Sequence, residues 1–271
     1  MNIGIIGYGS MGRMLYEQMS GSTFEGATFY IANRSSEKIA HLRQQCNVCD
    51  SNSQVAEQAD ILFLCVRPVD MRDILVEIKD STKESALLVS LNGSILFEQL
   101  EQICNAKITK VIPSVTAEVN QSQTLICYNS RVTDEDKNVL KTLLSCMGTV
   151  IELPEQEIGM GSELVSCMPG FLAAIFRELC ASAKKHTSLS EDEIARMVLH
   201  TVVGTGTMML EKGYSFSDVI DRVATKGGIT EEGTKVIEAQ FPGVADEVFE
   251  KTLEKRKQTT EKAQRSFGEV E

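Results

Sequence analysis

Up to about Pro154, short apolar runs alternate along the chain with segments in which apolar residues recur every three or four positions. The runs NIGIIG, TFYIANR, DILFLCV and ALLVSLNG are typical of strands buried in a parallel sheet. The segments between them, such as SMGRMLYEQMS and SSEKIAHLRQQC, have the periodicity of amphipathic helices, and Ser35 or Ser36 is the expected N-cap of the second. This alternation predicts βαβ units and therefore an α/β fold with a doubly wound parallel sheet.

From Glu157 onward only helical runs occur, so we expect an α/β domain at 1–156 and an all-α domain at 157–271. The run HTVVGTGTMML is apolar on nearly every side, and both faces of such a helix must be buried. Burial against a second copy achieves this most easily, so we predict a homodimer formed through the C-terminal helices. The alternative is the central helix of a monomeric bundle. The charged segment KTLEKRKQTTEKAQRSFGEVE is expected to be a solvated helix that frays.

Composition narrows the classes of partner. A net charge of −11 disfavours nonspecific binding to nucleic acid or to an anionic membrane surface. No stretch approaches the roughly 20 apolar residues of a membrane-spanning helix, and the N-terminus lacks the basic region of a signal peptide, so we expect a cytoplasmic protein. The 8 cysteines lie mostly in apolar settings and the 3 histidines are scattered, so we expect free thiols and no metal site.

The first strand leads into GYGSMG, a G-x-G-x-x-G motif at a strand-to-helix turn. Gly7 permits the tight turn, Gly9 lets the backbone approach a pyrophosphate, and Gly12 lets the helix and the strand pack closely. The N–H groups at the start of the following helix would receive the phosphates. In this position the motif predicts a Rossmann-type dinucleotide site. Its contacts are expected from Gly7, Tyr8, Gly9, Ser10, Met11 and Gly12.

The end of the second strand predicts which dinucleotide is bound. An NAD site places an Asp or Glu there to hold the ribose 2′-hydroxyl, whereas this chain has IANRSSEK, in which Glu37 is the first acid. Asn33 can hydrogen-bond the ribose, while Arg34 and Ser35 suit a 2′-phosphate. We therefore predict NADP as the cofactor, with NADPH preferred over NADH. The alternative is that Arg34 is only a surface arginine.

Several segments together, in order over most of the chain, resemble the pyrroline-5-carboxylate reductase family. The GxGxMG motif, the strand that ends in Asn33 and Arg34, and a CVRP segment in place of the family's V-K-P lie in the N-terminal half. The CVRP segment adds Val66, Arg67 and Pro68 to the expected cofactor contacts. Further along, FSDVIDRVATKGGITEEGTKVIEAQ is similar to the family's C-terminal signature of two helices around a GGxT turn. This long match is more specific than the glycine motif alone.

The resemblance implies reduction of pyrroline-5-carboxylate to proline with NAD(P)H, in dimers or rings of dimers joined through the helical domain. It implies that Thr230 places a hydroxyl beside the imine nitrogen and that N–H groups around Gly227 and Gly228 hold the substrate carboxylate. It also implies substrate contacts from Ser114, where the family has Asn, and from Pro169. The alternative treats KGGIT as an interhelical turn in which Thr230 is the N-cap.

The substrate-facing segments depart from the family pattern. Cys167 and Met168 replace glycines of an SGSGPAY-type segment, and Phe171 replaces its tyrosine, which would reshape any pocket. We therefore expect an NADPH-dependent imine reductase whose substrate is not fixed by the resemblance. Two alternatives stay open: a related NADP oxidoreductase that acts on another imine or carbonyl compound, and a dimer that binds NADP without catalysis, as a regulator or scaffold.

Overall fold

Eight strands form one sheet in the computed structural model, which describes residues 1–21 and 26–268. The strands are β1 (Asn2–Ile6), β2 (Thr28–Ala32), β3 (Asn47–Val48), β4 (Ile61–Leu64), β5 (Leu87–Ser90), β6 (Lys107–Ile112), β7 (Ser122–Tyr128) and β8 (Gly148–Glu152). The α-helices are α1 (Ser10–Ser20), α2 (Asn52–Gln58), α3 (Met71–Ile78), α4 (Phe97–Glu101), α5 (Asp134–Leu144), α6 (Ile158–Ser162), α7 (Met168–Lys184), α8 (Glu191–Lys212), α9 (Phe216–Val223) and α10 (Ile229–Gly268).

The strand order is β3-β2-β1-β4-β5-β6-β7-β8, so the chain starts in the middle of the sheet and winds outward in both directions. Strand β1 pairs in parallel with β2 on one side and with β4 on the other. This reversal at β1 places the turn after β1 at the switch point where α/β sheets bind ligands. The predicted Rossmann-type fold is confirmed.

One strand pair differs from the expected all-parallel sheet. Strand β7 runs antiparallel to β6, with Thr109 opposite Tyr128 and Ile112 opposite Leu125. Only residues 113–121 connect the two strands, and they contain the 3₁₀ helix Val115–Val119 rather than a crossover helix. A parallel pairing needs a crossover of about a dozen residues or more, so this short connection forces the strand to turn back.

Apolar side chains cover both faces of the sheet, in two separate clusters. Ile3 and Ile5 of β1 belong to the first cluster, with side chains of α1 and α5, whereas Ile6 belongs to the second, with side chains of α2 and α3. Successive strand residues point to opposite faces, which explains why neighbours in one strand enter different clusters. Helices on both faces are what the near-continuous apolar strands predict.

The segment after β2 is a 3₁₀ helix, Ser36–Gln44, rather than the expected α-helix. Its buried residues are Ile39 and Leu42, three positions apart. That spacing stacks side chains on one face of a 3₁₀ helix. Ser35 is the N-cap residue, but its side chain makes no capping hydrogen bond.

The chain divides into two compact units, one formed by residues 1–167 and 253–271 and the other by residues 168–252. This division differs from the boundary expected at 156/157, because the helical residues just after the last strand are buried in the sheet-containing unit. Ile158 belongs to its second apolar cluster, and Glu163 is 1% exposed. The end of α10 returns to the same cluster through Ala263 and Phe267.

The last helix corrects two expectations. The sequence shows two helical patterns around Pro242, ITEEGTKVIEAQ and GVADEVFEKTLEKRKQTTEKAQ, whereas the structure joins them in one continuous helix, α10. Its C-terminal end is not simply a solvated, fraying helix, since Ala263 and Phe267 are buried. Ala263 and Phe267 lie four positions apart and share one face of the helix, but the many charged residues around them make this apolar pair inconspicuous in the sequence. The final residues 269–271 lie outside the described part of the chain.

The unit formed by residues 168–252 leaves most of its apolar side chains uncovered. Ile194 is the one buried hydrophobic residue described in it, whereas Val203 is 66% exposed and Leu210 is 88% exposed. Helix α8 is therefore not the centre of a monomeric bundle. Within the described residues, the helical run Glu155–Lys184 is also long and apolar enough to cross a membrane by length and composition alone, with a mean hydropathy of 1.5 over an 18-residue window, contrary to expectation. A single run of this kind is weak evidence for a membrane span, because core helices of soluble proteins meet the same criterion.

Candidate functional site

The three glycines of the turn after β1 have different surroundings. Gly7 has a φ of +95°, and a Cβ there would lie 2.5 Å from the carbonyl oxygen of Cys65. A Cβ on Gly12 would lie 2.0 Å from the carbonyl oxygen of Gly7. Beside Gly9, by contrast, no heavy atom lies within 4 Å of the corresponding position. Gly7 and Gly12 are thus required by the fold itself, while Gly9 keeps a space open at the protein surface.

That space lies at the N-terminus of α1, where neither the N-cap residue nor the first turn supplies a group that offsets the positive end of the helix. The N-cap residue Gly9 provides no side-chain hydrogen bond, and the first turn contains no acidic residue. The N–H groups of Ser10 and Met11 therefore remain available to an anion. An open cradle of this kind fits the pyrophosphate of a dinucleotide.

Asn33, at the end of β2, connects the glycine turn to the following loop. Its side-chain oxygen accepts a hydrogen bond from the Tyr8 N–H at 2.9 Å, and its side-chain nitrogen donates to the Ser35 carbonyl at 3.0 Å. An asparagine side chain has two donor hydrogens and two acceptor lone pairs. Asn33 therefore keeps one donor and one lone pair for a ribose hydroxyl, while fixing the turn around Tyr8.

Two arginines near the glycine turn, Arg67 after β4 and Arg34 after β2, differ in their polar partners. Arg67 forms a bidentate pair with Asp70, with Nε 2.7 Å from Oδ2 and Nη2 3.0 Å from Oδ1. Arg34 is exposed and makes neither a hydrogen bond nor an ion pair within residues 1–21 and 26–268. The Arg67 guanidinium lowers the pKa of the Asp70 carboxyl, and Arg34 lowers it further. The Arg34 guanidinium is therefore available to bind a phosphate. Arg67 is instead held by Asp70, a residue that the sequence did not single out.

Pro68 opens the 3₁₀ helix Pro68–Asp70 that follows β4, and this turn is joined to the turn after β5. The buried Asn92 donates from its side-chain nitrogen to the Val66 carbonyl at 3.0 Å, and its own N–H bonds the Ser90 hydroxyl at 3.2 Å. Sequence analysis missed Asn92, although an Asn-Gly pair directly after an apolar strand marks a turn at the ligand-binding edge.

Ser114 follows β6 and is 2% exposed. Its N–H donates to the Ser122 hydroxyl at 3.2 Å, and its own hydroxyl caps the next 3₁₀ helix by accepting from the Thr116 N–H. These contacts give Ser114 a local structural role in the turn between β6 and β7. Its predicted contact with substrate remains a prediction.

The remaining predicted substrate residues, Gly227, Gly228, Thr230 and Pro169, belong to the unit formed by residues 168–252. Helix α10 begins at Ile229, so Thr230 lies in the first turn and the alternative role as N-cap is wrong. No hydrogen bond within the described residues involves the exposed Thr230 hydroxyl. Pro169 is the second residue of α7.

The predicted carboxylate cradle before α10 already has an internal occupant. The Gly227 N–H donates to Oε2 of Glu231, and the Gly228 N–H donates to the Thr225 carbonyl at 2.8 Å. A glutamate that reaches back to an N–H at the start of its own helix is a capping interaction. A substrate carboxylate at Gly227 would therefore have to displace the side chain of Glu231.

Within residues 1–21 and 26–268, no group of three or more His, Cys, Asp and Glu side chains could hold a metal ion. All 8 cysteines are free. Burial raises the pKa of the Cys104 thiol to about 11, with a contribution from Glu101, which keeps this thiol protonated near neutral pH.

Comparisons with known proteins agree with this arrangement. The family described as NADP oxidoreductase coenzyme F420-dependent matches residues 2–93, and the family described as pyrroline-5-carboxylate reductase dimerisation matches residues 155–259. Pyrroline-5-carboxylate reductase 3 of Bacillus subtilis (strain 168) is 36% identical over 263 residues, which cover 96% of this chain and 97% of that protein. ComE operon protein 4 of the same organism is 26% identical over 271 residues, which cover 98% and 99%.

A solved structure shares the fold over almost the whole chain. The pyrroline carboxylate reductase of Plasmodium falciparum, crystallised with NADP bound, has a TM-score of 0.86 at 23% identity and covers 96% of this chain and 98% of its own. The open cradle at Gly9, the NADP oxidoreductase match over the same strands and the 36% identity to a full-length relative lead to one conclusion. The chain belongs to the pyrroline-5-carboxylate reductase family of NADP oxidoreductases.

Proposed function

We propose that this protein reduces pyrroline-5-carboxylate, a cyclic imino acid, to proline and prefers NADPH over NADH. The observation that carries the proposal is the cofactor rim of the sheet, where the N-terminus of α1 and the guanidinium of Arg34 are both unpaired beside an open cradle. Phosphate oxygens are the natural acceptors for such groups. Arg34 and Ser35 distinguish NADPH from NADH because only NADPH carries the 2′-phosphate.

The reaction requires little acid–base chemistry from the protein. When bound, NADPH supplies the hydride, which goes to the imine carbon while the nitrogen takes up a proton and becomes the amine. We assign the hydrogen bond at that nitrogen to the Thr230 hydroxyl, which is exposed and has no internal partner within the described residues. Holding the two rings at reacting distance is the larger contribution, since proximity and orientation lower the barrier most.

The substrate carboxylate is assigned to the N–H groups of Gly227 and Gly228, with Ser114 and Pro169 as further contacts. In this assignment the substrate displaces the Glu231 carboxylate from Gly227, and the Gly228 N–H is shared between the Thr225 carbonyl and the substrate carboxylate. Glu231 also lies 3.6 Å from the Lys235 ammonium, which offers the displaced side chain a partner. This exchange frees the Gly227 N–H for the substrate, and the helix loses one capping hydrogen bond, the one between Gly227 and Glu231.

A homodimer through the helical unit is part of this proposal. Exposed apolar residues such as Val203 and Leu210 on α8 need a cover, and a unit with one described buried hydrophobic residue has too small a core of its own. A cavity of about 630 Å³ in this unit, lined by Ala173, Phe176 and Leu199, adds further apolar surface. A second copy of the chain presents the same surface, as two-fold symmetry requires.

The deciding experiment follows NADPH oxidation at 340 nm with pyrroline-5-carboxylate, beside NADH and a Thr230→Ala variant. We expect turnover with a preference for NADPH, and a fall in kcat/KM of about 10- to 100-fold in Thr230→Ala, the range expected when a hydrogen bond of about 1.5–3 kcal/mol is lost at the reacting centre. Thr234→Ala is the matched control, because the Thr234 hydroxyl bonds the Glu231 carbonyl within the helix. Equal losses in the two variants would contradict the role of Thr230.

A second candidate is an imine without a carboxylate, and the occupied Gly227 N–H favours it. The same assay with 1-pyrroline tests this candidate. Turnover of 1-pyrroline without turnover of pyrroline-5-carboxylate would replace the proposed substrate. Tight binding of NADPH with no turnover of either imine would favour a dimer that binds NADP without catalysis.

A further inference from the structure

A buried ion pair lies in the unit formed by residues 1–167 and 253–271, away from the residues used so far. Arg256 donates from Nε at 3.0 Å and from Nη2 at 2.7 Å, both to Oε1 of Glu163. The Glu163 side chain is 2% exposed, and its other oxygen, Oε2, is buried without a hydrogen-bond partner in the described structure. Burial, with the Glu163 carboxylate next to it, raises the pKa of the nearby Cys167 thiol.

The pair joins the two places where the chain passes between the compact units. Glu163 is the first residue of a π-helix, Glu163–Cys167, and the chain leaves the sheet-containing unit directly after Cys167. The chain returns at Leu253, three residues before Arg256. Single π-helical turns inside helices are frequently found at functional sites. The ion pair therefore fixes both connections to the same point of the sheet-containing unit.

That point is the turn after β5. Nη1 of Arg256 lies 3.8 Å from the position that a Cβ on Gly93 would occupy, and Cδ of Arg256 lies 3.5 Å from the same position on Gly159. The Arg256 side chain thus passes two glycines, with its guanidinium near Gly93, which follows Asn92, and its Cδ near Gly159. Asn92 in turn holds the carbonyl of Val66, in the turn after β4.

A contribution to the stability of the fold does not by itself explain the buried ion pair of Glu163 and Arg256. Burying two charges removes them from water, and the single-oxygen geometry leaves Oε2 uncompensated. Apolar side chains of similar volume often stabilise a fold as well or better. A pair that links both chain connections to a turn at the ligand-binding edge of the sheet is better explained by positioning.

A dinucleotide lies across the switch point of the sheet, so a 2′-phosphate at Arg34 after β2 and a pyrophosphate at the N-terminus of α1 leave the turns after β4 and β5 for the nicotinamide end. We propose that Glu163 and Arg256 are positioning residues for that end of the cofactor. Glu163 orients Arg256, Arg256 supports the turn at Gly93, and Asn92 transmits that position to Val66. The adenosine end is held separately, by the glycine turn and Arg34. This inference rests on the proposed use of NADPH, but it requires no particular imine.

The test is calorimetric titration with two ligands, NADPH and 2′,5′-ADP, which carries only the adenosine 2′-phosphate half. In Glu163→Gln we expect the affinity for NADPH to fall about 10-fold, while the affinity for 2′,5′-ADP stays within about 2-fold of wild type. Glu155→Gln is the matched control, because it removes one partner of another buried pair, Lys110–Glu155, in the same unit. The control should leave the ratio of the two affinities unchanged.

A double variant, Glu163→Leu with Arg256→Met, separates positioning from stability. We expect it to unfold at or above the wild-type temperature and still to show the selective loss of NADPH affinity. Equal losses for both ligands, or no loss for either, would overturn the inference. Binding of NADPH without turnover of any imine would overturn the proposed substrate alone, whereas a wild-type protein that binds no NADPH would overturn both.

Discussion

Substituting alanine at Gly9 and, separately, at Gly12 tests what each glycine of the turn is for. Gly9 has φ −84° and ψ −162°, a conformation that alanine adopts freely, and no atom lies within 4 Å of the new Cβ. The loss of backbone freedom in the unfolded chain stabilises the variant by about 0.4–1 kcal/mol. Alanine is a poorer N-cap than glycine, by a similar amount. The free energy of unfolding of Gly9→Ala should therefore stay within about 1 kcal/mol of wild type, or about 2–4 °C in Tm.

The affinity for NADPH, unlike the stability, should fall sharply in Gly9→Ala. The added methyl group fills the space reserved for the pyrophosphate, and overpacking of this kind costs about 2 kcal/mol, or about 30-fold in the Kd for NADPH. In Gly12→Ala the Cβ would lie 2.0 Å from the Gly7 carbonyl oxygen, so α1 must move away from β1. We expect that variant to lose about 3 kcal/mol of stability and about 6–12 °C in Tm.

The assay pairs thermal unfolding of both variants with titration of NADPH fluorescence. The reasoning predicts a stable Gly9→Ala that binds NADPH poorly and an unstable Gly12→Ala. A Gly9→Ala protein that binds NADPH as tightly as wild type would refute the assignment of the open space to the cofactor. A Gly12→Ala protein as stable as wild type would refute the packing role of that glycine.

Three further predictions follow from other parts of the molecule. Arg34→Ala should weaken NADPH binding about 10- to 100-fold and leave NADH unchanged, because a charged hydrogen-bonded contact is worth about 1.5–3 kcal/mol; equal losses in fluorescence titrations would contradict it. Val203→Glu, on the exposed face of α8, should convert a dimer to a monomer in light scattering, and an intact dimer would exclude that face from the interface. The Asp136 carboxyl has a lowered pKa, since hydrogen bonds from Thr133 and Lys107 outweigh the opposing effect of burial. Its contribution to stability is therefore present above the unfolded pKa of about 3.9 and lost as pH falls through the lower folded value. Asp136→Asn should then be less stable than wild type at pH 7 and nearly equal to it at the lowest pH in urea unfolding, and a constant difference would contradict the shift.

The sequence determined the parts of this protein that depend on neighbours along the chain. Alternating apolar runs and helical periodicity specified the strands and helices of the sheet, and the GYGSMG motif predicted the turn where the cofactor is expected to bind. The lack of an acid between the end of β2 and Glu37 predicted NADP rather than NAD. Each of these features lies within one strand-turn-helix segment, so its physical cause can be read locally. The GGIT turn was likewise found from its sequence, and its place before α10 agrees.

Tertiary structure decided whatever depends on residues far apart in the chain. The antiparallel direction of β7 follows from a connection too short for a crossover, and the continuity of α10 through Pro242 joins two separate helical patterns. The pair of Glu163 and Arg256 spans 93 positions, and no local pattern predicts that these two side chains meet. Their burial depends on α10 folding back onto the sheet. A charge is tolerated there only when its partner arrives from a distant segment, so the pairing of these two side chains is a property of the folded chain alone.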